Sequence, residues 1–493
     1  MDNLAEYSLF ARRIGLVGVV QTLYNLRGLI ILPILTRVLG ASDYGVWALI
    51  LVTVNLASPL IQLGLQNAML RFLPSRGKEE IARGFITALP VILGTGTAAA
   101  LILFFSSDLL AAVFLQEEGA ASVVRVASLL LILESLTQLA VHSFRIFGQI
   151  KRYAAVRLLE TLLQVGLIAF FVLSGYGLLG AVMGMLITKA VTLAIAWALI
   201  ISYAGFARPD FSLLPGYFKY GLPLVPYALF AYVIASSDRY VIGGFLDAAQ
   251  IGIYSAAYNM GHIVLTFSSY IRYVLRPTMY KGYDEGKVDA VKNYLSYSWK
   301  YLLMLSIPAA FGLSVLAEPL LASLTTPEFI ATGRVVVPLV AGGMLVHGIG
   351  NILQGVILLS KQSGIFVWVF GIAAVVNLGL NILLVPRWGI IAAAATTLAA
   401  YALASGLIYL LSRRRLRFDA HLGFVGKSIV ASVVMTAAVW AFSPVGATQI
   451  LLAIVMGAAV YFAVLFILKG FTKGEIQFFR QLFKDTARGV LHR

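Results

Sequence analysis

Between residues 14 and 469 the chain is a succession of apolar stretches of 18 residues or more, separated by short polar corners, and no other feature limits its fold so tightly. At 1.5 Å of rise per residue, each stretch is long enough to cross a hydrocarbon core of about 30 Å. Inside such a core no water pairs with a free amide, so each crossing must satisfy its own backbone. The segments are too long and too many for barrel strands, which leaves helices. Only 12% of the residues are charged, about half the share of an ordinary soluble domain. The reading is an all-α polytopic membrane protein of about 14 spans. They start near Ile14, Tyr44, Ile81, Ala121, Ala154, Gly177, Tyr220, Ala248, Ser296, Thr332, Gly364, Trp388, Phe424 and Thr448.

Short loops on the cytoplasmic side retain Lys and Arg. With the amino terminus inside, 30 of the 37 basic residues fall in inner segments, among them Arg71 to Arg83, Arg272 to Lys300 and Arg413 to Lys427. The opposite orientation would send the "RRRLR" cluster outside. Both termini are therefore expected in the cytoplasm, with the chain spanning the cytoplasmic (inner) cell membrane.

The net charge of +16 is accounted for by basic loops resting on anionic headgroups, and no nucleic-acid partner is expected. "GFVGKS" at 423–428 falls short of a phosphate loop, because His421 stands where the first glycine is required. Without cysteine there is no disulfide, no thiolate nucleophile and no thiolate metal site. Residues 1–13 hold paired arginines but no cleavable signal, so the first span is expected to be an uncleaved anchor.

The stretch "LTRVLGASDYGVWALIL" (35–51) has a relative in "GFLDAAQIGIYSAAYN" (244–259). A shift of 207 residues puts Leu39 on Leu246, Ala41 on Ala248, Gly45 on Gly252 and Trp47 on Tyr254. "GYGLLGAVMGML" (175–186) echoes "RWGIIAAAATTL" (387–398) at a shift of 212. The chain thus reads as two lobes of six spans, 1–206 and 207–416, followed by two further spans in 417–469 and a tail, 470–493. Six being even, the lobes are parallel repeats about an axis along the membrane normal, with a seam in which a substrate would sit. In the tail, Phe479, Leu482 and Phe483 oppose Lys473, Arg480, Lys484 and Arg488, an amphipathic helix for the inner leaflet.

Polar residues at membrane depth are the candidates for function. Arg27 falls mid-span in span one, Glu134 in span four and Lys189 in span six. A charge there costs about 2.5–3.5 kcal/mol on insertion scales, so it faces a water-filled cavity or a partner. We expect at least one of the two cations to face a central cavity; the alternative is that Glu134 pairs with Arg27 or Lys189 and locks the first lobe. Glu134, Gln138, His142 and Arg145 share one helix face of span four, suited to proton or substrate movement or to helix–helix hydrogen bonds. Arg157, Glu160 and Gln164 read as a facing structural network. In the second lobe Asp238 and Arg239 lie toward the outer end of span seven, where a local ion pair is an alternative to a place in the cavity, and His262 lies deep in span eight. His347, Asn351 and Gln354 share a face of span ten, whereas Asn377 and Asn381 read as interhelical glue. No cluster has the spacing of a metal site or of a nucleophile–base pair. The candidate central-cavity set is Arg27, Glu134, Lys189, Asp238, Arg239, His262, His347 and Asn351.

Three stretches, "ILTRVLGASDYGVWAL", "SSDRYVIGGFLDAAQIGIYSAAYN" and "VVNLGLNILLVPRWGIIAAAATTLAAY", resemble the polysaccharide biosynthesis transporters of the multidrug/oligosaccharidyl-lipid/polysaccharide exporter superfamily, which includes the Wzx-type O-antigen flippases. The resemblance implies fourteen helices in two lobes around a cationic cavity. It also implies translocation of polyprenyl-pyrophosphate-linked oligosaccharide from inner to outer leaflet, for cell-surface polysaccharide synthesis. On that basis Arg27 and Lys189 would meet the pyrophosphate while the lobes rock by alternating access. Membrane lipids and other polysaccharide-assembly proteins are the further partners implied. No cofactor is expected, and a coupled proton or sodium ion would fall to Glu134, Asp238 or a histidine. Three rival readings remain. A lipid II flippase differs only in cargo. A drug/cation antiporter needs a carboxylate-centred cavity. A glycan polymerase needs a sizeable catalytic loop, and the longest loops here, such as 276–294, are short and lysine-rich.

Overall fold

The computed structural model describes residues 2–117, 119–360, 362–472 and 475, and every regular element among them is helical. Ten helical stretches of the described residues are long and apolar enough to cross a membrane, fewer than the fourteen starts read from the sequence. Most of the difference comes from Val20–Gln62, Ile150–Ala204 and Gly364–Arg413, which run on through a corner. Each contains a glycine with non-helical backbone where the sequence reading puts a boundary. These are Gly40 (φ 76°, ψ −175°), Gly175 (φ 88°, ψ 8°) and Gly389 (φ 62°, ψ −152°). A Cβ at Gly40 or Gly389 would strain that backbone, so glycine is what lets one helix give way to the next with no loop between. Span eight is Ala248–Gly261 continued by Ile263–Asp284.

The internal repeat is visible in the backbone. Gly177 and Gly389, superposed by the shift of 212, have φ/ψ of 57°/−147° and 62°/−152°. The other echo takes the form of a contact. A Cβ on Gly45 would collide with the carbonyl oxygen of Ala248, and one on Gly252 with the carbonyl oxygen of Ala41. Because the shift of 207 maps residue 41 to 248 and 45 to 252, each half presses the same glycine onto the same alanine of the other. That reciprocity is the mark of a two-fold relation. Small residues let these backbones touch, which is how apolar helices associate in lipid.

The far end of span two makes a second such contact: Gly64 and Gly221 meet backbone to backbone, each without room for a Cβ. Between the two, Thr53 and Tyr240 share a hydroxyl–hydroxyl hydrogen bond of 2.7 Å. The seam is therefore closed at its Gly40 end and again near Gly64, with space left in the middle. The last two helices, Leu422–Phe442 and Gly446–Ile467, pair through Ser428 and Tyr461, whose hydroxyls are 2.8 Å apart. Most of the tail lies outside the described residues, and with it the amphipathic face expected there.

Candidate functional site

A cavity of about 550 Å³ fills the middle of the seam. Span one contributes Tyr24, Asn25 and Arg27, span two Trp47 and Asn55, and span four Glu134 and Gln138. The second half closes it with Tyr232 of span seven and Asn259, His262 and Thr266 of span eight. Apolar spans bring these groups together because each carries a few polar residues on one helix face, and that face turns from lipid toward the seam.

Among the described residues Arg27 is the one Lys or Arg that lines this cavity. Its guanidinium carbon sits 3.6 Å from the centre of the Tyr24 ring, and Nη1 donates to the Tyr24 carbonyl at 2.7 Å. Among the described residues no carboxylate lies within ion-pair distance of it. The side chain is partly exposed and lines the wall. A guanidinium held by a ring and a carbonyl keeps most of its donors for a ligand.

Lys189 behaves differently, and the expectation that it lines the cavity is corrected. It is fully buried, with Nζ 2.6 Å from Glu134 and also paired with Glu160. Glu160 in turn holds Arg157 at 2.8 Å. Two carboxylates and two cations make a balanced set, and pairing offsets part of the desolvation cost that would otherwise drive Lys189 toward water. Glu134 serves both environments: it lines the cavity, pairs with Lys189 and accepts from Gln138 Nε2 at 2.7 Å. The polar face of span four continues through His142, whose Nδ1 is 2.8 Å from Gln66 Oε1.

In the second half, Asp238 and Arg239 also prove to be core residues and not part of the cavity wall. They pair at 2.6 Å, Tyr254 donates its hydroxyl to Asp238, and the Arg239 guanidinium lies 3.9 Å from the Tyr258 ring centre. Local neutralisation beside two tyrosines satisfies both charges without a cavity. His347 and Asn351 are likewise absent from the cavity wall among the described residues. His347 packs against Tyr401 with ring centroids 4.3 Å apart and the planes tilted by 32°, and Asn351 accepts from Gln354 at 3.1 Å. His262 does reach the cavity, with its ring stacked 6.0 Å from Tyr258. Asn381 bonds Asn377 and Thr396, joining spans eleven and twelve. Among the described residues no group of three His, Cys, Asp or Glu side chains is placed to hold a metal ion.

Tyr24, Asn25, Asn55, Tyr232 and Asn259 belong to the wall and were not singled out from the sequence. Asn55 and Asn259 offered a signal, each an amide inside an apolar run, but neither carries the charge that draws attention at membrane depth.

Comparison with known proteins agrees with this fold. The chain is 25% identical over 435 residues to the probable low-salt glycan biosynthesis flippase Agl15 of Haloferax volcanii, covering 86% of this chain and 89% of that protein. Its fold is similar to that of the lipid II flippase MurJ in an inward closed conformation, with a TM-score of 0.74, 17% identity and coverage of 92% of this chain and 98% of that one. It is similar as well to an inward-facing multidrug resistance MATE family transporter of the MOP superfamily, with a TM-score of 0.66, 16% identity and coverage of 80% and 94%. With residues 34–332, more than half of its length, matching the profile of the polysaccharide biosynthesis proteins, the chain belongs to that family.

Proposed function

We propose that this protein is a flippase for a lipid-linked oligosaccharide, with the diphosphate of the lipid bound at Arg27. The observation that carries the reading is a cavity between two repeat-related halves whose one deep cation has no carboxylate of its own among the described residues. Agl15 is named as a probable low-salt glycan biosynthesis flippase and MurJ as a lipid II flippase, which supports the substrate class. A diphosphate in so dry a place is drawn strongly to a guanidinium, which can grip it with two parallel hydrogen bonds. The glycan would occupy the polar wall while the polyprenyl chain stays in lipid, and rocking of the halves would expose the cavity to each side in turn. The protein acts in this reading as a transporter and makes no covalent bond. The basic loops put the Gly64 end and both termini in the cytoplasm and the Gly40 corner outside, in the cytoplasmic membrane. A coupled proton or sodium ion would sit at Glu134, among the described residues the one carboxylate shared between cavity and ion network.

The test is transport of a fluorescent polyprenyl-diphosphate oligosaccharide in proteoliposomes. A charge-assisted hydrogen bond is worth about 1.5–3 kcal/mol, so Arg27→Ala should weaken lipid binding roughly 10-fold or more. Undiminished transport by folded Arg27→Ala protein would overturn the site.

A further inference from the structure

Beside the main cavity, toward Gly64, lies a second chamber of about 170 Å³ between spans two, four and seven. Gln138 and Tyr232 line both, so the two are neighbours across one wall. Beside apolar residues such as Leu224 and Val225, the wall of the smaller chamber carries four amides, Gln62, Gln66 and Asn67 from the span-two side and Gln138 from span four, with no charged side chain among its described residues.

Two of these amides are joined to each other, and a third is engaged from one side only. Gln62 Nε2 donates to Gln138 Oε1 at 2.7 Å and lies 3.0 Å from Ser58 Oγ, while Gln138 passes its own donor to Glu134. Gln66 Oε1 is engaged by His142, but the buried Nε2 of Gln66 has no partner among the described residues. Amides used only to clamp helices would be consumed by one another; here Gln66 lines the chamber and keeps one buried donor unspent, a state that favours a ligand able to accept it. Paired amide donors and acceptors next to a tyrosine ring are suited to hydroxyl-bearing rings, and the lack of charge excludes attraction to an acidic or amino sugar.

Depth separates this chamber from Arg27. Counted from the Gly40 corner, Gln62 lies nine residues further along its helix than Arg27 along the other, about 13 Å at 1.5 Å per residue. We infer that the chamber seats an uncharged sugar of the transported glycan, one set back from the ring bonded to the diphosphate, and that Gln62 and Gln66 choose among glycans. This rests on the flippase reading above.

The test compares binding of two probes to the full chain in nanodiscs: polyprenyl diphosphate alone, and the same lipid carrying a neutral trisaccharide. The wild type should prefer the trisaccharide lipid by 10-fold or more. Gln66→Ala should abolish that preference while leaving the bare lipid as before, whereas Arg27→Ala should weaken both probes alike. The inference is overturned if Gln66→Ala keeps the preference, or if it weakens both probes equally with unfolding temperature unchanged, as a helix clamp would. It is overturned too if the wild type binds both probes equally, a result that leaves the flippase reading intact. If the wild type binds neither probe, that reading falls and takes the inference with it. Should Gln66→Ala unfold, Gln66→Asn, which shortens the amide by one methylene, is judged by the same outcomes.

Discussion

Glu328 accepts a hydrogen bond at 3.0 Å from the backbone N–H of Ala41, across the seam between the two halves. Ala41 is the first residue past the Gly40 corner. The matching corner of the second half carries its own cap, Asp247, which accepts from the N–H of Gln250 at 2.7 Å. One helix start is thus capped from within its sequence and the other only while the halves are together at that end. Capping groups are worth about 0.5–2 kcal/mol, so Glu328→Ala should favour the state parted at the Gly40 end by roughly 2- to 30-fold. The chain has no cysteine, so one introduced at Ser42 gives a clean readout. Its labelling by a membrane-impermeant maleimide should speed up in the Glu328→Ala background, and an unchanged rate would show that the cap does not hold the seam.

The Gly45–Ala248 and Gly252–Ala41 contacts predict a second effect. Gly45→Ala would place a methyl group on a carbonyl oxygen with no side chain to yield, so backbone must move. Spin labels at the Gly40 end, one on each half, should report a longer distance in the variant, and transport should fall while expression persists. An unaltered distance distribution would mean that the contact yields without parting the halves.

Lys189 sits between Glu134 and Glu160, so removing its charge strands two carboxylates. Losing one partner of a buried pair costs about 3–5 kcal/mol, and Lys189→Met should lower thermal stability accordingly. Adding Glu160→Gln should restore part of the loss. If the double variant is no more stable than the single one, the network is not what holds this part of the first half.

These residues show what a sequence can and cannot convey. Depth is legible: Arg27, Glu134 and Lys189 were all recognisable as charges in mid-span. Direction is not. Lys189 was expected to face the cavity, yet Glu160, read only as part of a neighbouring network, claims it. The choice between water and partner depends on the rotation of span six against span five, which apolar composition on all sides leaves unspecified. The same holds for Asp238 and Arg239, whose depth was clear and whose burial beneath Tyr254 and Tyr258 was not. By contrast, the repeat was legible in detail, because a glycine that permits a corner or a backbone contact leaves a mark at a fixed position.

Glu475 predicts a pH dependence at the end of the described chain. Burial pushes its carboxyl upward, but hydrogen bonds from Lys300 at 2.7 and 2.8 Å and from Thr472 prevail and hold it below its ordinary value. A lowered carboxylate contributes stability above its unfolded pKa and loses it as the pH falls through the folded one, so this attachment should persist at neutral pH and weaken only below about 4.3. Hydrogen exchange at Gly470 to Thr472 should rise on acidification, and Glu475→Gln should raise it at every pH. Flat exchange in both would remove Glu475 as the anchor.

The ion network has a consequence for how the protein is made. Glu134 and Glu160 leave the ribosome before Lys189, so the two acids are in the bilayer or the insertion machinery when the lysine-bearing helix arrives. That helix alone would pay about 2.5–3.5 kcal/mol to enter lipid, and counter-charges already waiting remove the penalty. The ion network of the first half can therefore close with its charges balanced once Lys189 is in place, before any of the second half has been synthesised.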